Sequence, residues 1–444
     1  MAQLEDSHIG RLLAITVPDS LIEKLAVAYG VVERERKIDI VLLVWTLILG
    51  FPKGTRRTLA SLRRQLVQVS GSSIAHSSFY DRLSPALADL MEQLVGWLLD
   101  FRTENTAGDI SEKFEGFQEL LAVDSTVFQL HEMLVDNFES TNPGEAAGKL
   151  HVVANVIDGK TNSVQLTGQT TPDNRPWKTI GSWVENSLLR LDLGYYDFHL
   201  FHRIDQQDGF FISRVKTNAN PRIVRSNMTC RGNSIDLAGK NLQEVVDRLQ
   251  RQVIDVTVEV DVELRKYRGS CNTIQKQFRM VGVKNEETGK YHLYFTNVGT
   301  HVLDPSDISA TYRLRWQVEL LFARLKTNFR LHQLPTSKHH VVKILIYASI
   351  LALLVSNELL RSMRNARPGR VFPARRMDAV FRDFAHLILL TIAARRRDTQ
   401  LDLFELMTNA AADPNRDRDR SHDILDRIPL SRPDDSRVFA EVSG

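Results

Sequence analysis

Three acidic residues in this sequence have side chains and settings suited to binding a divalent cation. Asp124 follows the apolar run LLAV and Asp192 follows LLRL, so each is predicted to end a β-strand. Glu319 lies within ATYRLRWQVELLFARLKTNFRL, whose apolar residues recur with the period of a helix. Carboxylate oxygens are hard ligands that suit Mg²⁺ or Mn²⁺. Taken singly, however, the two aspartates are also typical of a helix cap and a turn.

The segment around Glu319 predicts one helix with a polar face and an apolar face. At about 100° per residue, four polar residues fall within an arc of roughly 60° on the side away from the core. These residues are Tyr312, Arg315, Glu319 and Lys326. The opposite face carries the apolar residues predicted to be buried, Leu314, Val318, Leu321 and Leu325. A solvated helix face with an ordinary ion pair between Arg315 and Glu319 has the same pattern.

The spacing Tyr-(2)-Arg-(3)-Glu-(6)-Lys resembles the signature of the insertion-sequence 4 family of transposases. Asp124, in AVDST, is similar to the first catalytic aspartate of that family. Asp192 is similar to the second, with Gly194 and Tyr195 completing an Asp-x-Gly-Tyr pattern. The resemblance covers residues 115 to 400 in organisation and is specific at these three motifs. It implies a DDE transposase whose catalytic metal ligands are Asp124, Asp192 and Glu319.

The resemblance also implies a reaction. A ribonuclease-H-like core would bring two aspartates together at adjacent strand ends, and a later helix would add Glu319. Two Mg²⁺ or Mn²⁺ ions about 4 Å apart would activate the attacking hydroxyl and stabilise the leaving oxygen. Water would first cleave at the inverted repeats of the transposon ends, and the released 3′-OH would then attack target DNA. The partner is therefore double-stranded DNA, bound by a homodimer.

The remaining signature residues are expected to contact DNA. Arg315 and Lys326 would hold phosphates near the scissile bond, and Tyr312 would contact the backbone. Loss of Arg315 is expected to weaken the grip on DNA and to leave cation binding intact. Trp316 could stack on an unpaired base, although a helix-packing role is equally compatible with the sequence.

The N-terminal region is predicted to be helical and to read the inverted repeats. It carries a basic cluster that could contact DNA, consisting of Arg56, Arg57, Arg63 and Arg64. The segment 58–83 could form a helix-turn-helix, in which Ser77, Ser78, Tyr80 and Arg82 would be the readers. Surface roles for these residues are equally compatible with the sequence.

The predicted fold class is α/β, a ribonuclease-H-like core interrupted by a β-rich insertion and preceded by an all-helical DNA-binding region. Alternating valines in VIDVTVEVDVE and the hairpin signal in 278–298 predict the strands of the insertion. The predicted domains are a helical region at 1–112, the core at 113–220 and 301–402, the insertion at 221–300 and a charged, disordered tail at 403–444.

Composition excludes several other classes of protein. The net charge of +3 is too small to argue for nucleic-acid binding by itself, so affinity must come from local patches. Two cysteines without CxxC spacing argue against a zinc site or a disulfide framework. The apolar runs at 39–49 and 344–356 are shorter than a membrane span and predict core helices. We therefore expect a cytoplasmic protein without a membrane role, and without a phosphate-binding glycine loop.

Several alternatives remain open from the sequence. Other acids lie in predicted loops, namely Asp158, Asp197, Asp205 and Asp208, and Asp205 is the main rival of Asp192. His199 and His202 are spaced like ligands on a helix but lack a further partner pattern. The rival functions are a transposase-derived DNA-binding regulator and a ribonuclease-H-like nuclease that cuts without joining.

Overall fold

The computed structural model describes most of the chain between residues 8 and 393. The described residues are 8–32, 38–50, 58–103, 114, 116–156, 161–178, 180–230, 233–246, 248–264, 273–285, 289–329, 331, 334, 336–367 and 369–393. The predicted tail at 403–444 lies outside them, as do Arg56, Arg57 and Asp158. Trp316 is described only as part of a helix backbone.

Six helices form the N-terminal part of the described chain. Its helices are α1 (His8–Thr16), α2 (Asp19–Ala28), α3 (Ile40–Leu49), α4 (Leu59–Ser70), α5 (His76–Arg82) and α6 (Pro85–Thr103). Local chemistry sets their ends. The Asp39 carboxylate caps α3, and Thr58 and Ser61 form a capping box at the start of α4. Gly71 ends α4 in the left-handed region, at a φ of 65°.

The middle of the chain forms strands with a few short helices. The elements are β1 (Leu120–Leu130), β2 (Ala146–Asn155), β3 (Thr161–Gly168), β4 (Leu188–Leu191), α7 (Phe198–Gln206), β5 (Phe210–Arg214), β6 (Arg222–Ser226), β7 (Thr229–Cys230), β8 (Asn233–Ser234), α8 (Leu242–Val246), β9 (Val253–Glu263), β10 (Thr273–Lys284) and β11 (Tyr291–Thr296). The helix predicted over 176–188 is wrong. That segment contains two short 3-10 turns, and its last residue already begins β4.

Nine of the described strands form one mixed sheet, in the order β3-β2-β1-β4-β5-β11-β10-β9-β6. Strands β1, β2 and β3 are antiparallel, whereas β1, β4 and β5 are parallel. The strands of 221–300 extend this sheet, because β11 pairs antiparallel with β5. The predicted insertion therefore continues the central sheet and does not pack as a separate one.

The two faces of the sheet bury different cores. Along β1, Leu120 and Ala122 belong to the larger core, which also contains the last four helices of the described chain, while Leu121 and Val123 belong to the smaller core. Alternation of side chains along a strand explains this division. The helices of the larger core are α9 (Pro305–Arg313), α10 (Trp316–Thr327), α11 (His339–Ala366) and α12 (Ala374–Ala393).

Helix α11 is the element in the described residues that is long and apolar enough to cross a membrane. However, 83% of its most apolar window is buried inside the protein. The helix packs against α3, α6 and α12, so its apolar residues have protein neighbours. This burial agrees with the core helix predicted for 344–356.

Candidate functional site

Asp124 and Asp192 lie on neighbouring parallel strands. In the register of β1 and β4, Val123 pairs with Leu191. Asp124 directly follows Val123, and Asp192 directly follows Leu191. Neighbouring strands lie about 4.8 Å apart, so the two residues are adjacent. Asp192 follows the last residue of β4, as predicted.

The prediction that a strand ends at Asp124 is wrong. Strand β1 runs on to Leu130, and Asp124 lies inside it, opposite Val152 of β2. The reason is that β1 has two neighbours of different length. Strand β4 stops at Leu191, whereas the pairing with β2 continues over residues 125–130. Asp124 therefore lies at the point where β1 no longer pairs with β4 and pairs only with β2.

Arg315 connects the three predicted acids. Its guanidinium donates to the Asp124 carboxylate at 2.5 Å (Nη1 to Oδ2) and to the Glu319 carboxylate at 2.7 Å (Nη2 to Oε1). Its Nε lies 3.7 Å from Oδ1 of Asp192. Glu319 is in the first turn of α10, which packs against β1. Acids from a strand, a strand end and a helix thus converge on one side chain.

Burial and charge act against each other at Asp124. Burial raises the pKa of Asp124, the neighbouring Arg315 lowers it, and the carboxylates of Asp192 and Glu319 raise it again, which leaves it at about 6. Burial lowers the pKa of Arg315, but the surrounding carboxylates raise it overall. The site is therefore a crowded set of acids whose repulsion one cation relieves.

The carboxylate oxygens of Asp124, Asp192 and Glu319 are suitable ligands for a hard divalent cation. In their present arrangement, however, the three side chains are not close enough to share one ion. In the described part of the chain, no group of three or more His, Cys, Asp or Glu side chains is close enough to hold an ion. The Arg315 guanidinium lies between the carboxylates and supplies the positive charge. Three oxygen donors that already share one cation match the ligand preference of Mg²⁺ or Mn²⁺. Shared coordination of an ion would require Arg315 to move aside.

The signature segment is two helices and not one. Hydrogen bonds from Leu314 N to Thr311 O and from Arg315 N to Tyr312 O join residues three positions apart, where a regular α-helix joins residues four apart. They tighten the backbone between α9 and α10. The predicted single polar face is therefore wrong. Tyr312 is only 7% exposed and packs on Tyr294 at 5.3 Å between ring centroids.

Other predictions for this segment hold in part. The predicted apolar stripe is buried, at Leu314, Val318, Leu321 and Leu325. Burial and the nearby Asp192 carboxylate raise the pKa of Tyr312, so its hydroxyl stays protonated near the site. Lys326 is half-buried on α10, and burial lowers its pKa. The side chain of Trp316 lies outside the described residues.

Two of the four rival acids, Asp197 and Asp205, have other roles. Asp197 caps α7 by accepting from His199 N at 2.8 Å and also accepts from Asn174. Asp205 accepts from Lys276 and from Asn297, so it belongs to the contact between α7 and the strands of 221–300. These contacts explain both acids by local structure and leave Asp192 as the aspartate next to Asp124.

The N-terminal candidates fall around the corner between α4 and α5. Arg63 donates to the Ile74 carbonyl at 2.7 Å, which fixes the turn between the two helices, while Arg64 is exposed. Ser77 and Ser78 are exposed on α5. Arg82 donates to the Val31 carbonyl at 2.8 Å and so connects this corner to the chain after α2.

Sequence reasoning missed two sets of polar residues. Arg324 of α10 pairs with the fully buried Asp378 of α12. Lys149 and His151 are buried on β2, and both contact Asp173. These contacts lie on the face of the sheet opposite to the one that carries Asp124. The available signal for the second set was two basic residues inside the apolar strand AAGKLHVVAN.

Comparisons with known proteins support a family assignment. The family model described as "Transposase DDE domain" matches residues 115–355, more than half of the chain. The transposase for insertion sequence element IS231D of Bacillus thuringiensis subsp. finitimus is 22% identical over 377 residues, which is 78% of each protein. The transposase for insertion sequence element IS1151 of Clostridium perfringens is 21% identical over 271 residues, 55% of this chain and 57% of that protein.

A distant similarity to a solved structure spans most of the chain. The piggyBac transposase in a synaptic complex with hairpin DNA aligns with 93% of this chain and 87% of its own, at 10% identity. The TM-score of this alignment is 0.48.

Proposed function

The chain belongs to the transposase DDE domain family and is an enzyme of DNA transposition, and on that premise we propose that Asp124, Asp192 and Glu319 are its catalytic metal ligands. The observation that carries this proposal is the contact of all three carboxylates with the single guanidinium of Arg315. Acids 68 and 127 residues apart in the chain meet there.

We further propose a ribonuclease-H-like core. Support comes from three antiparallel strands followed by two parallel ones, with α7 crossing between β4 and β5. The proposed domains are a helical DNA-binding region at 1–112, the core at 113–220 and 301–402, the insertion at 221–300 and the tail at 403–444.

The proposed metal ligands would hold Mg²⁺ or Mn²⁺, as two ions. Such ions supply Lewis-acid activation of the attacking oxygen and stabilisation of the leaving oxygen. The protein supplies position: β1 and β4 fix the two aspartates in register, and the start of α10 adds Glu319. Arg315 and Lys326 would hold DNA phosphates. Tyr312, expected from the sequence to contact the DNA backbone, is only 7% exposed. Its carbonyl accepts from the Arg315 N–H at 3.0 Å, so Tyr312 would position Arg315. Trp316 is the proposed base-stacking residue.

We propose double-stranded DNA as the partner, both transposon ends and target, bound by a cytoplasmic homodimer. Of the two members of the predicted basic cluster that the structure describes, Arg64 is exposed and Arg63 holds the corner between α4 and α5 in place. Arg56 and Arg57 complete the proposed contact surface. Cleavage would occur at the inverted repeats, and joining would use the released 3′-OH ends.

The proposal is tested with a labelled duplex that carries the terminal inverted repeat of the element, a target plasmid and Mg²⁺. We expect the wild-type protein to cut the duplex and join its end to the plasmid. Glu319→Gln and Asp192→Asn should bind the duplex normally and lose cutting by at least about a thousandfold, since each removes a metal ligand.

Asp205→Asn is the matched control for Asp192→Asn, because it alters an aspartate of similar exposure that contacts Lys276 and Asn297. It should cut at nearly the wild-type rate. Cutting by Glu319→Gln at the wild-type rate would overturn the site. End binding without cutting by the wild type would favour a regulator, and cutting without joining would favour a nuclease.

A further inference from the structure

A second polar cluster lies on the other face of the sheet, directly behind Asp124. We call Ser125, Lys149, His151, Asp173 and Tyr195 the reverse-face cluster. Residues 125, 149 and 151 alternate with core residues of β1 and β2 and so project away from the Asp124 carboxylate. Within the cluster, Tyr195 is 1% exposed and His151 is 3% exposed, so its hydrogen bonds are made inside the protein.

The cluster is continuous. Ser125 Oγ donates to Asp173 Oδ1 at 2.9 Å, and Lys149 Nζ lies 3.3 Å from the same oxygen. His151 Nδ1 lies 3.1 Å from the Tyr195 hydroxyl and 3.7 Å from Asp173. Its other ring nitrogen contacts Thr167 of β3 at 3.0 Å. The cluster thus joins β1, β2 and β3 to two loops.

Both proposed catalytic aspartates are next to this cluster. Ser125 directly follows Asp124 on β1. Tyr195 ends the 3-10 turn that follows Asp192, and its backbone N–H donates to the Asp192 carbonyl at 2.9 Å. The same turn rests on Asp173, because a Cβ added to Gly194 would lie 2.4 Å from Asp173 Oδ2. Asp173 and His151 therefore fix the turn that carries Asp192.

We propose that the reverse-face cluster positions Asp192 relative to Asp124 and so sets the cation affinity of the site without touching the cation. The inference rests on the proposed function of the two aspartates. Residues behind metal ligands commonly act in this way, since they hold a ligand in one orientation. Gly194 and Tyr195 then have a physical role in the Asp-x-Gly-Tyr pattern.

The test is Mn²⁺ binding to the full-length protein, measured by titration calorimetry at pH 8. Tyr195→Phe removes the hydroxyl that His151 contacts, and Gly194→Ala pushes Asp173 away from the turn. We expect each variant to weaken Mn²⁺ affinity by about three- to tenfold, at the lower end of effects known for residues behind metal ligands. Ser125→Ala, which removes one hydrogen bond, should have a smaller effect in the same direction.

The neighbouring tyrosine provides a matched control. Tyr196 is also buried, and its hydroxyl has no hydrogen-bond partner among the described residues. Tyr196→Phe deletes the same atom as Tyr195→Phe and should leave Mn²⁺ affinity unchanged. A purely structural role for Tyr195 would lower the melting temperature and leave the affinity of the folded protein at its wild-type value.

Asp192→Asn separates the two proposals. If it loses Mn²⁺ binding while Tyr195→Phe, Gly194→Ala and Ser125→Ala bind within twofold of the wild type, the positioning role is wrong and the catalytic site stands. If Asp192→Asn binds Mn²⁺ like the wild type, the proposed site itself is wrong. Should Tyr195→Phe fail to fold, Ser125→Ala and Gly194→Ala decide the question on the same scale.

Discussion

Arg315 and Arg324 lie nine residues apart, at the N-cap and in the last turn of α10, and they pair with acids in different ways. Arg324 is 6% exposed and makes two hydrogen bonds of 2.6 and 2.7 Å to Asp378, which is fully buried. Arg315 is 19% exposed and divides its guanidinium among three carboxylates, one of them at 3.7 Å.

The surroundings of the two arginines differ as much as their pairing. Asp378 also accepts from Ser356 at 3.0 Å and from Asn328 at 3.1 Å, and Asn357 accepts from Arg324 at 2.8 Å. These contacts satisfy a buried pair within the protein, so the pair holds α10 against α11 and α12. At Arg315, Asp192 and Glu319 are 39% and 57% exposed. A cation shared among exposed acids is one that another cation can replace.

The largest expected effect comes from breaking the Arg324 pair. Arg324→Ala should lower the free energy of unfolding by about 3–5 kcal/mol, because it leaves the Asp378 carboxylate buried without its cation. Arg315→Ala should change the free energy of unfolding by about 1 kcal/mol or less, since two of its three partners, Asp192 and Glu319, reach solvent. Urea denaturation of the full-length protein measures both changes.

A double variant sharpens this difference. Arg324→Met combined with Asp378→Leu removes both charges and should recover much of the lost stability, because no buried charge remains. Equal losses of stability for Arg324→Ala and Arg315→Ala would contradict the distinction between the two arginines.

A smaller effect on the free energy of unfolding is expected from protonation of His151. Like Arg324, this side chain is buried, but among the described residues no ion pair offsets the cost of charging it to the same extent. Burial lowers the pKa of His151 to about 4, although Asp173 raises it in part and Lys149 lowers it further. The unfolded chain therefore binds this proton below about pH 6.5, whereas the folded chain resists it. As the pH falls from 6.5 to 4, the free energy of unfolding should decrease by about 2–3 kcal/mol.

The measurement is the difference between the wild type and His151→Gln in urea denaturation over this pH range. Taking the difference removes the contribution of Asp124, whose raised pKa acts with the opposite sign. Below its pKa of about 6, the folded chain takes up a proton at Asp124 and gains stability. Parallel pH profiles for the wild type and His151→Gln would show that His151 carries no such penalty.

The sequence predicted most elements because their local patterns were strong. Alternating valines placed β9 at 253–263, and the helices of the N-terminal region followed from capping and turn residues. Local sequence patterns could not predict which strands pair with each other. That β11 joins β5, and thereby extends the central sheet with the strands of 221–300, depends on contacts between residues such as Phe295 and Ser213.

For the candidate site, the sequence predicted which residues come together better than it predicted the strands and helices that carry them. Fixed spacing identified Arg315 and Glu319, and position after an apolar run identified Asp124 and Asp192. The structure brings the four side chains together. Asp124 lies inside β1 because β2 is longer than β4, a comparison between strands that one segment cannot reveal. The tightened turns at Leu314 and Arg315 likewise depend on how α9 and α10 pack, so helical periodicity alone extended the helix through them.

The smallest expected effect concerns cation binding at Arg315, and here the structure changes the expectation from the sequence. The sequence predicted that loss of Arg315 would leave cation binding intact. Because the guanidinium contacts all three carboxylates, we now expect Arg315→Ala to increase the Mn²⁺ affinity of the DNA-free protein. The increase should be about tenfold at pH 8, equivalent to about 1.4 kcal/mol for removing one competing positive charge nearby.

Two variants test whether competition is the cause. Arg313→Ala removes the same charge from an exposed position two residues earlier and should leave Mn²⁺ affinity near the wild-type value. Arg315→Lys keeps the charge but cannot span three carboxylates, so its affinity should fall between the other two. An unchanged or weaker Mn²⁺ affinity for Arg315→Ala would mean that Arg315 arranges the carboxylates for the cation. It would then resemble Arg324 in holding acids in place, and the proposed contrast between the two arginines would disappear.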